Sequence, residues 1–124
     1  MELYLLELFQ LLFHLTMINN NLKQYIKSIC LSKKTEVCGF IVSDKNEDFF
    51  IELENKHPQS EDFFLISPID YLKIKNKFSI KYLFHSHNNS DRFSETDIHY
   101  QKFHKLNMLI YNISSDNWSE MKCK

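Results

Sequence analysis

Glycine is nearly missing from this chain, and so is arginine: Gly39 and Arg92 are the single representatives of their types. No glycine-rich linker, repeat or low-complexity segment divides the sequence. Cysteine is equally sparse. Cys30, Cys38 and Cys123 are odd in number and far apart, with no Cys-x-x-Cys spacing. This argues against a disulfide scaffold or a cysteine-ligated zinc, and for reduced thiols in a cytoplasmic setting. Basic clusters are lacking too. The formal net charge is −1 and the lysines are scattered, so nothing points to nucleic acid. The most hydrophobic stretch, Met1 to Ile18, is interrupted by Glu7, Gln10 and His14, which share one helical face. That polar stripe disfavours a membrane span, which needs about 20 largely apolar residues. The stretch also lacks the basic start and small-residue cleavage site of a secretory signal. It reads as an amphipathic helix that packs on the domain, on a partner protein or on a second copy. Alternatively, Met17 is the natural start.

What the chain does contain suits one domain: 124 residues, 44% of them apolar, with abundant phenylalanine and isoleucine. The expected organisation is the apolar leader over residues 1–18 and a single globular unit over 19–124. Asn19-Asn20-Asn21 reads as a break and cap, after which Leu22, Tyr25, Ile26 and Ile29 keep helical spacing. Glu36 to Ser43 reads as a strand, Asp44 to Glu47 as a turn, and Asp48 to Glu54 as the returning strand with alternating burial. A polar loop containing Pro58 leads to a short apolar strand, Phe63 to Ile66. Ser67-Pro68-Ile69-Asp70 is a helix start with cap, proline at N1 and an acid at N3. A strand through Ile80 to Phe84, a loop, and a helix from about Glu95 to Lys105 follow. Strands at 108–113 and 118–122 complete a mixed α/β (α+β) pattern, a mixed sheet flanked by helices.

The segment Phe84 to Asp97 concentrates the chemistry. On an extended strand His85 and His87 point the same way, with Cα atoms roughly 7 Å apart. Two imidazoles so placed can share a zinc ion at Zn–N distances of about 2.0–2.1 Å, and Asp97, in the next helix's first turn, can add an oxygen. A fourth position left to water is the mark of a catalytic zinc site. Each residue also has a plainer reading. Ser94-Glu95-Thr96-Asp97 is a helix cap, and a His-x-His pair at a strand end is often two half-exposed imidazoles. A base to move protons must come from elsewhere. Glu36, at the start of its strand, is the candidate, and Gly39 three residues on suggests close approach by a substrate strand or a neighbouring loop.

Glu36, His85-Ser86-His87 and Ser94-x-x-Asp97 together resemble the signature of the JAMM (MPN-plus) zinc metallopeptidases. The likeness runs from about Thr35 to the last strand. Phe64-x-Ile-Ser-Pro-x-Asp-Tyr71 further resembles the branch found in phage tail-assembly proteins. Asn88 and Phe93 stand where the family commonly has proline, and the loop from His87 to Ser94 is one residue shorter than usual. The resemblance implies a JAMM/MPN fold similar to cytidine deaminases, although the deaminase Pro-Cys-x-x-Cys motif is absent. It implies Zn²⁺ on His85, His87 and Asp97, with Glu36 moving protons and Ser94 donating to the oxyanion of a peptide or isopeptide substrate. The expected role is a metallopeptidase of phage tail assembly or of cell-wall or protein processing, cytoplasmic or virion-associated. The alternatives are a processing protease for ubiquitin-like or sulfur-carrier proteins and a non-catalytic MPN-like scaffold. Among the other histidines, His104 lies about 10 Å along the helix from Asp97 and His99 about 200° around it, so neither joins the site. His14 and His57 read as surface or helix-stripe residues.

Overall fold

The computed structural model describes residues 18–123. The expected leader helix and the alternative start at Met17 lie outside them. The elements are α1 (Asn20–Leu31), β1 (Cys38–Asp44), β2 (Glu47–Leu53), α2 (Pro68–Lys77), β3 (Ser79–His87), α3 (Glu95–His104), β4 (Met108–Asn112) and β5 (Asn117–Met121). The strands form one mixed sheet of order β2-β1-β3-β4-β5, in which only β3 and β4 run parallel. The parallel pair requires a crossover, and α3 supplies it.

Local chemistry explains most boundaries. Asn19 caps α1, its side chain accepting from the Asn21 N–H at 2.7 Å. Lys45 and Asn46 both adopt positive φ, as a two-residue hairpin between β1 and β2 demands. Pro68 occupies the first turn of α2, but Ser67 makes no side-chain capping bond there. The helix start rests on the proline's fixed φ and on Asp70 in the first turn.

Alternation along the strands divides the core between two faces. Ile41, Tyr82, Phe84 and Tyr111 pack with Ile26 and Cys30 of α1 on one face. Cys38, Phe40, Val42, Leu83 and Met108 pack with Ile74 of α2 on the other, against Tyr71, Phe93 and Tyr100. Leu83 and His85 are two apart on β3, so the histidine pair extends the second face.

Three expectations need correction. Residues 63–66 form no strand of the sheet; they run extended beside Asn55 and Lys56, with Lys56 N–H donating to the Leu65 carbonyl at 2.9 Å. The places on either side of β1 are taken by β2 and β3, so the segment is not a neighbour of β1. Glu36 does not open β1, which begins at Cys38. Gly39 admits neither a substrate nor a loop. A Cβ built there would lie 2.1 Å from the Ile51 carbonyl oxygen and 2.8 Å from the Phe50 ring, both in the neighbouring strand β2.

Candidate metal centre

Strand geometry brings the imidazoles together at the end of β3. Their ring centroids are 4.6 Å apart, and His85 is stacked on Phe64 at 4.2 Å. His87 has its Nδ1 atom 3.1 Å from the Ser90 carbonyl oxygen, a contact that favours a proton on Nδ1 and leaves Nε2 as an electron-pair donor. Ser86, on the opposite face, is fully buried. Its Oγ accepts from the Val37 N–H at 2.8 Å and its own N–H donates to the Val37 carbonyl at 2.8 Å. This two-way link clips the residue after Glu36 onto the middle of the His-Ser-His motif.

Asp97 arrives through the cap of α3. Its N–H donates to Ser94 Oγ at 3.1 Å, while the Ser94 N–H donates to Asp97 Oδ2 at 2.8 Å. This capping box fixes the carboxylate within the buried site. The plainer reading of Ser94 and Asp97 as a cap is therefore correct as far as it goes, and the cap also aims the carboxylate. Asp97 Oδ1 lies 2.9 Å from His85 Nε2, and Oδ2 lies 3.4 Å from His87 Nε2.

Glu36 approaches from outside regular structure. Its N–H donates to the Ser60 carbonyl at 2.7 Å. Its own carbonyl accepts from Asn55 Nδ2 at 3.0 Å. Asn55 is a hub. The same amide nitrogen reaches the Ser60 and Phe63 carbonyls at 3.2 and 2.8 Å, and Oδ1 accepts from the His57 and Leu65 N–H groups at 3.1 and 3.0 Å. Glu36 is 6% exposed, and its Oε2 stands 3.8 Å from His85 Nδ1.

Glu36, His85 and His87 could hold a metal ion, for they offer ligand atoms all within 4.8 Å of one another. Two further observations fit a cation. Both ring nitrogens of His85 are buried with no properly aimed hydrogen bond, since the 2.9 Å approach of Asp97 is close but poorly aligned. An orphaned imidazole is costly in a dry site unless something else takes its lone pair. Ligand atoms about 2.0–2.1 Å from a tetrahedral zinc would also stand about 3.3 Å apart, and the separation of His87 Nε2 and Asp97 Oδ2 is 3.4 Å.

Electrostatics separate the groups. Burial pushes the Glu36 carboxyl up to about 8; His87 pulls it down, while Asp97 and Asp62 add to the rise. Burial also lowers His85, against the opposing pull of Asp97. For His87, burial works downward, but the hydrogen bond and charge of Asp97 outweigh it and the net shift is upward. Asp97 moves the other way: burial is overcome by the two imidazoles, and the carboxyl lies far below its ordinary range. Cys38 is opposite His85 in the register, and burial pushes its thiol up to about 12.

The site opens into a cleft of about 640 Å³ between the loop of residues 54–67 and the loop of residues 88–94. Asn88 Nδ2 bridges the two, donating to the Glu61 carbonyl at 2.7 Å. His57, half-buried in its loop, lines this cleft with its ring tilted against Phe63 at 5.0 Å between centroids. His104 packs against Tyr71 and Tyr100, away from the cleft. Sequence spacing had no means of finding Asn55, Phe64 or the structural part played by Ser86, since their partners are remote in the chain. No family model matches this sequence, and no curated protein is similar to it. Among the described residues, no helix is long and apolar enough to cross a membrane.

Proposed function

We propose that this protein is a zinc-dependent peptidase of the JAMM/MPN type, hydrolysing a peptide or isopeptide bond. The observation that carries the reading is the buried convergence of Glu36, His85, His87 and Asp97 at the base of an open cleft. In it, His85, His87 and Asp97 are the ligands and Glu36 the proton carrier. Both imidazole Nε2 atoms face Asp97, whereas Glu36 Oε2 stands 3.8 Å from Nδ1 of His85. Zinc bound there would supply a Lewis acid for the scissile carbonyl and acidify a coordinated water.

The chain's own groups do the rest. Glu36 Oε2 accepts a proton from the attacking water and returns it to the departing amine. A carboxyl whose pKa burial has raised toward neutrality suits both halves of that task, and a nearby cation would bring it lower. The Ser94 hydroxyl oxygen accepts the capping bond from Asp97, so its proton stays free to donate to the developing oxyanion. Ser94 lines the cleft, within reach of an incoming chain. Within this reading, service in phage tail assembly or in the processing of protein or cell-wall crosslinks is the biological setting that the Phe64–Tyr71 motif favours. The test is metal content together with turnover. Purified protein should contain one zinc per chain and cleave peptide or isopeptide substrates in a chelator-sensitive way. A chain that takes up no zinc when supplied with it would end the proposal.

A further inference from the structure

Arg92, the only arginine in the chain, lines the same cleft as Glu36 and the two histidines. No lysine joins it there, so it is the one fixed cation among the described cleft-lining residues. The chain has 16 acidic residues. Even so, no ion pair among the described residues involves the Arg92 guanidinium. The nearest acid in sequence, Asp91, is committed elsewhere. Its carboxylate accepts from Asn112 and Ser115 at 2.7 Å and from Asn117 at 3.3 Å, and its carbonyl accepts from Ser119 at 2.8 Å. Those bonds pin the loop onto the β4–β5 hairpin. Arg92 itself is held by its N–H, which donates to Ser90 Oγ at 3.1 Å. The backbone beneath the guanidinium is therefore anchored, and the residue itself is exposed.

A guanidinium offers paired donors that match a carboxylate in two-point contact. Phe63 and Phe93 line the same cleft, and apolar surface there reduces competition from water. Glu36 and Asp62 make the remainder of the cleft acidic, so an acidic ligand gains from Arg92 only if its carboxylate stays on that side. We propose that Arg92 forms a carboxylate-binding subsite, so that the preferred substrate carries a free carboxylate close to the scissile amide. The statement about substrate rests on the peptidase reading above; the statement about binding does not. The carboxylate belongs either to an acidic side chain or to a chain terminus.

Titration calorimetry on the zinc-loaded Glu36→Gln chain distinguishes these without turnover. Three acetylated hexapeptides serve as probes: one with an internal glutamate and an amidated end, one with glutamine and a free C-terminal acid, and one with glutamine and an amidated end. One acid peptide should bind about fivefold tighter than the neutral one, the scale of a partly exposed ion pair. Which of the two it is identifies the source of the carboxylate. Adding Arg92→Gln should bring the ratio to about 1, and Arg92→Lys should retain part of it, since one point charge replaces the fork. A ratio that survives Arg92→Gln, as direct carboxylate binding to zinc would produce, overturns the subsite. So does equal binding of all three peptides by the Glu36→Gln chain. Hydrolysis by the unsubstituted chain is followed in parallel. Cleavage without any Arg92-dependent preference sinks the subsite and leaves the peptidase; Arg92-dependent binding with no cleavage of any peptide does the reverse.

Discussion

The two halves of the candidate centre are held by different means. His85 and His87 project from β3, a strand paired on both sides, so the sheet's own ladder sets their spacing. Glu36 precedes β1 and owes its position to a bond from its N–H to Ser60, to the amide of Asn55 and to the Ser86 link one residue later. A ligand pair on a strand tolerates change in its surroundings, because displacing it means displacing the sheet. A proton carrier suspended from a polar hub is exposed to loss of any one member of that hub. Substitutions in the two halves should therefore fail in different ways.

The largest effect is expected on the strand side. His87→Ala should lose both zinc and hydrolysis, measured by metal analysis and peptide turnover on the same preparation. Glu36→Gln should separate the two: zinc stays at one per chain while kcat falls by about 10²- to 10⁴-fold, the usual worth of a positioned acid–base group. If zinc disappears from this variant as well, Glu36 is a ligand and the division of roles between it and Asp97 is wrong. Gly39→Ala probes the sheet that holds the ligands. Its Cβ would collide with backbone rather than with a yielding side-chain tip, and thermal or urea unfolding should show a loss of about 3 kcal/mol.

Smaller and more telling is Asn55→Ala, on the polar side. Removing the hub should lower kcat between about 10- and 100-fold through misplacement of Glu36, with zinc content unchanged. Equal kcat in the two proteins would show that Glu36 needs no such support. A last effect is in the pH dependence of the metal-free protein. Burial raises the Glu36 pKa from 4.5 to about 8 on folding, so the folded state binds that proton more tightly than the unfolded chain does. The stabilisation is complete below the unfolded value and is lost as pH climbs through the folded one. Glu36→Gln lacks this loss. Its Tm relative to the parent should rise between pH 5 and pH 9, and a flat difference would mean that the carboxyl is solvated.

Much of this was legible in the residues alone because it is local. The capping box at Ser94 and Asp97 is written in four consecutive positions, and the shared face of His85 and His87 follows from the two-residue period of a strand. The mixed character of the sheet follows from hairpins interleaved with a helical crossover. Gly39 was legible as a point of close approach, but the approaching partner could not be named from spacing. The segment 63–66 looks like a strand by its apolar run, and only the folded chain shows that it lies outside the five-stranded sheet.

Sequence by itself determined the short-range half of this protein: turns, caps, helix starts and the parity of the histidine pair, all set by steric and hydrogen-bonding rules acting over a few residues. Tertiary structure alone decided that Glu36 meets His85, since the segments they stand on are joined by hydrogen bonds across 49 positions of chain. It alone also turned Asn55 into a hub, His57 into a cleft wall and Arg92 into a cleft-lining cation with no ion pair among the described residues. The reason is physical. Burial and long-range hydrogen bonding depend on which surfaces the folded sheet brings together, and no pattern within a few residues of any one of these side chains encodes that meeting.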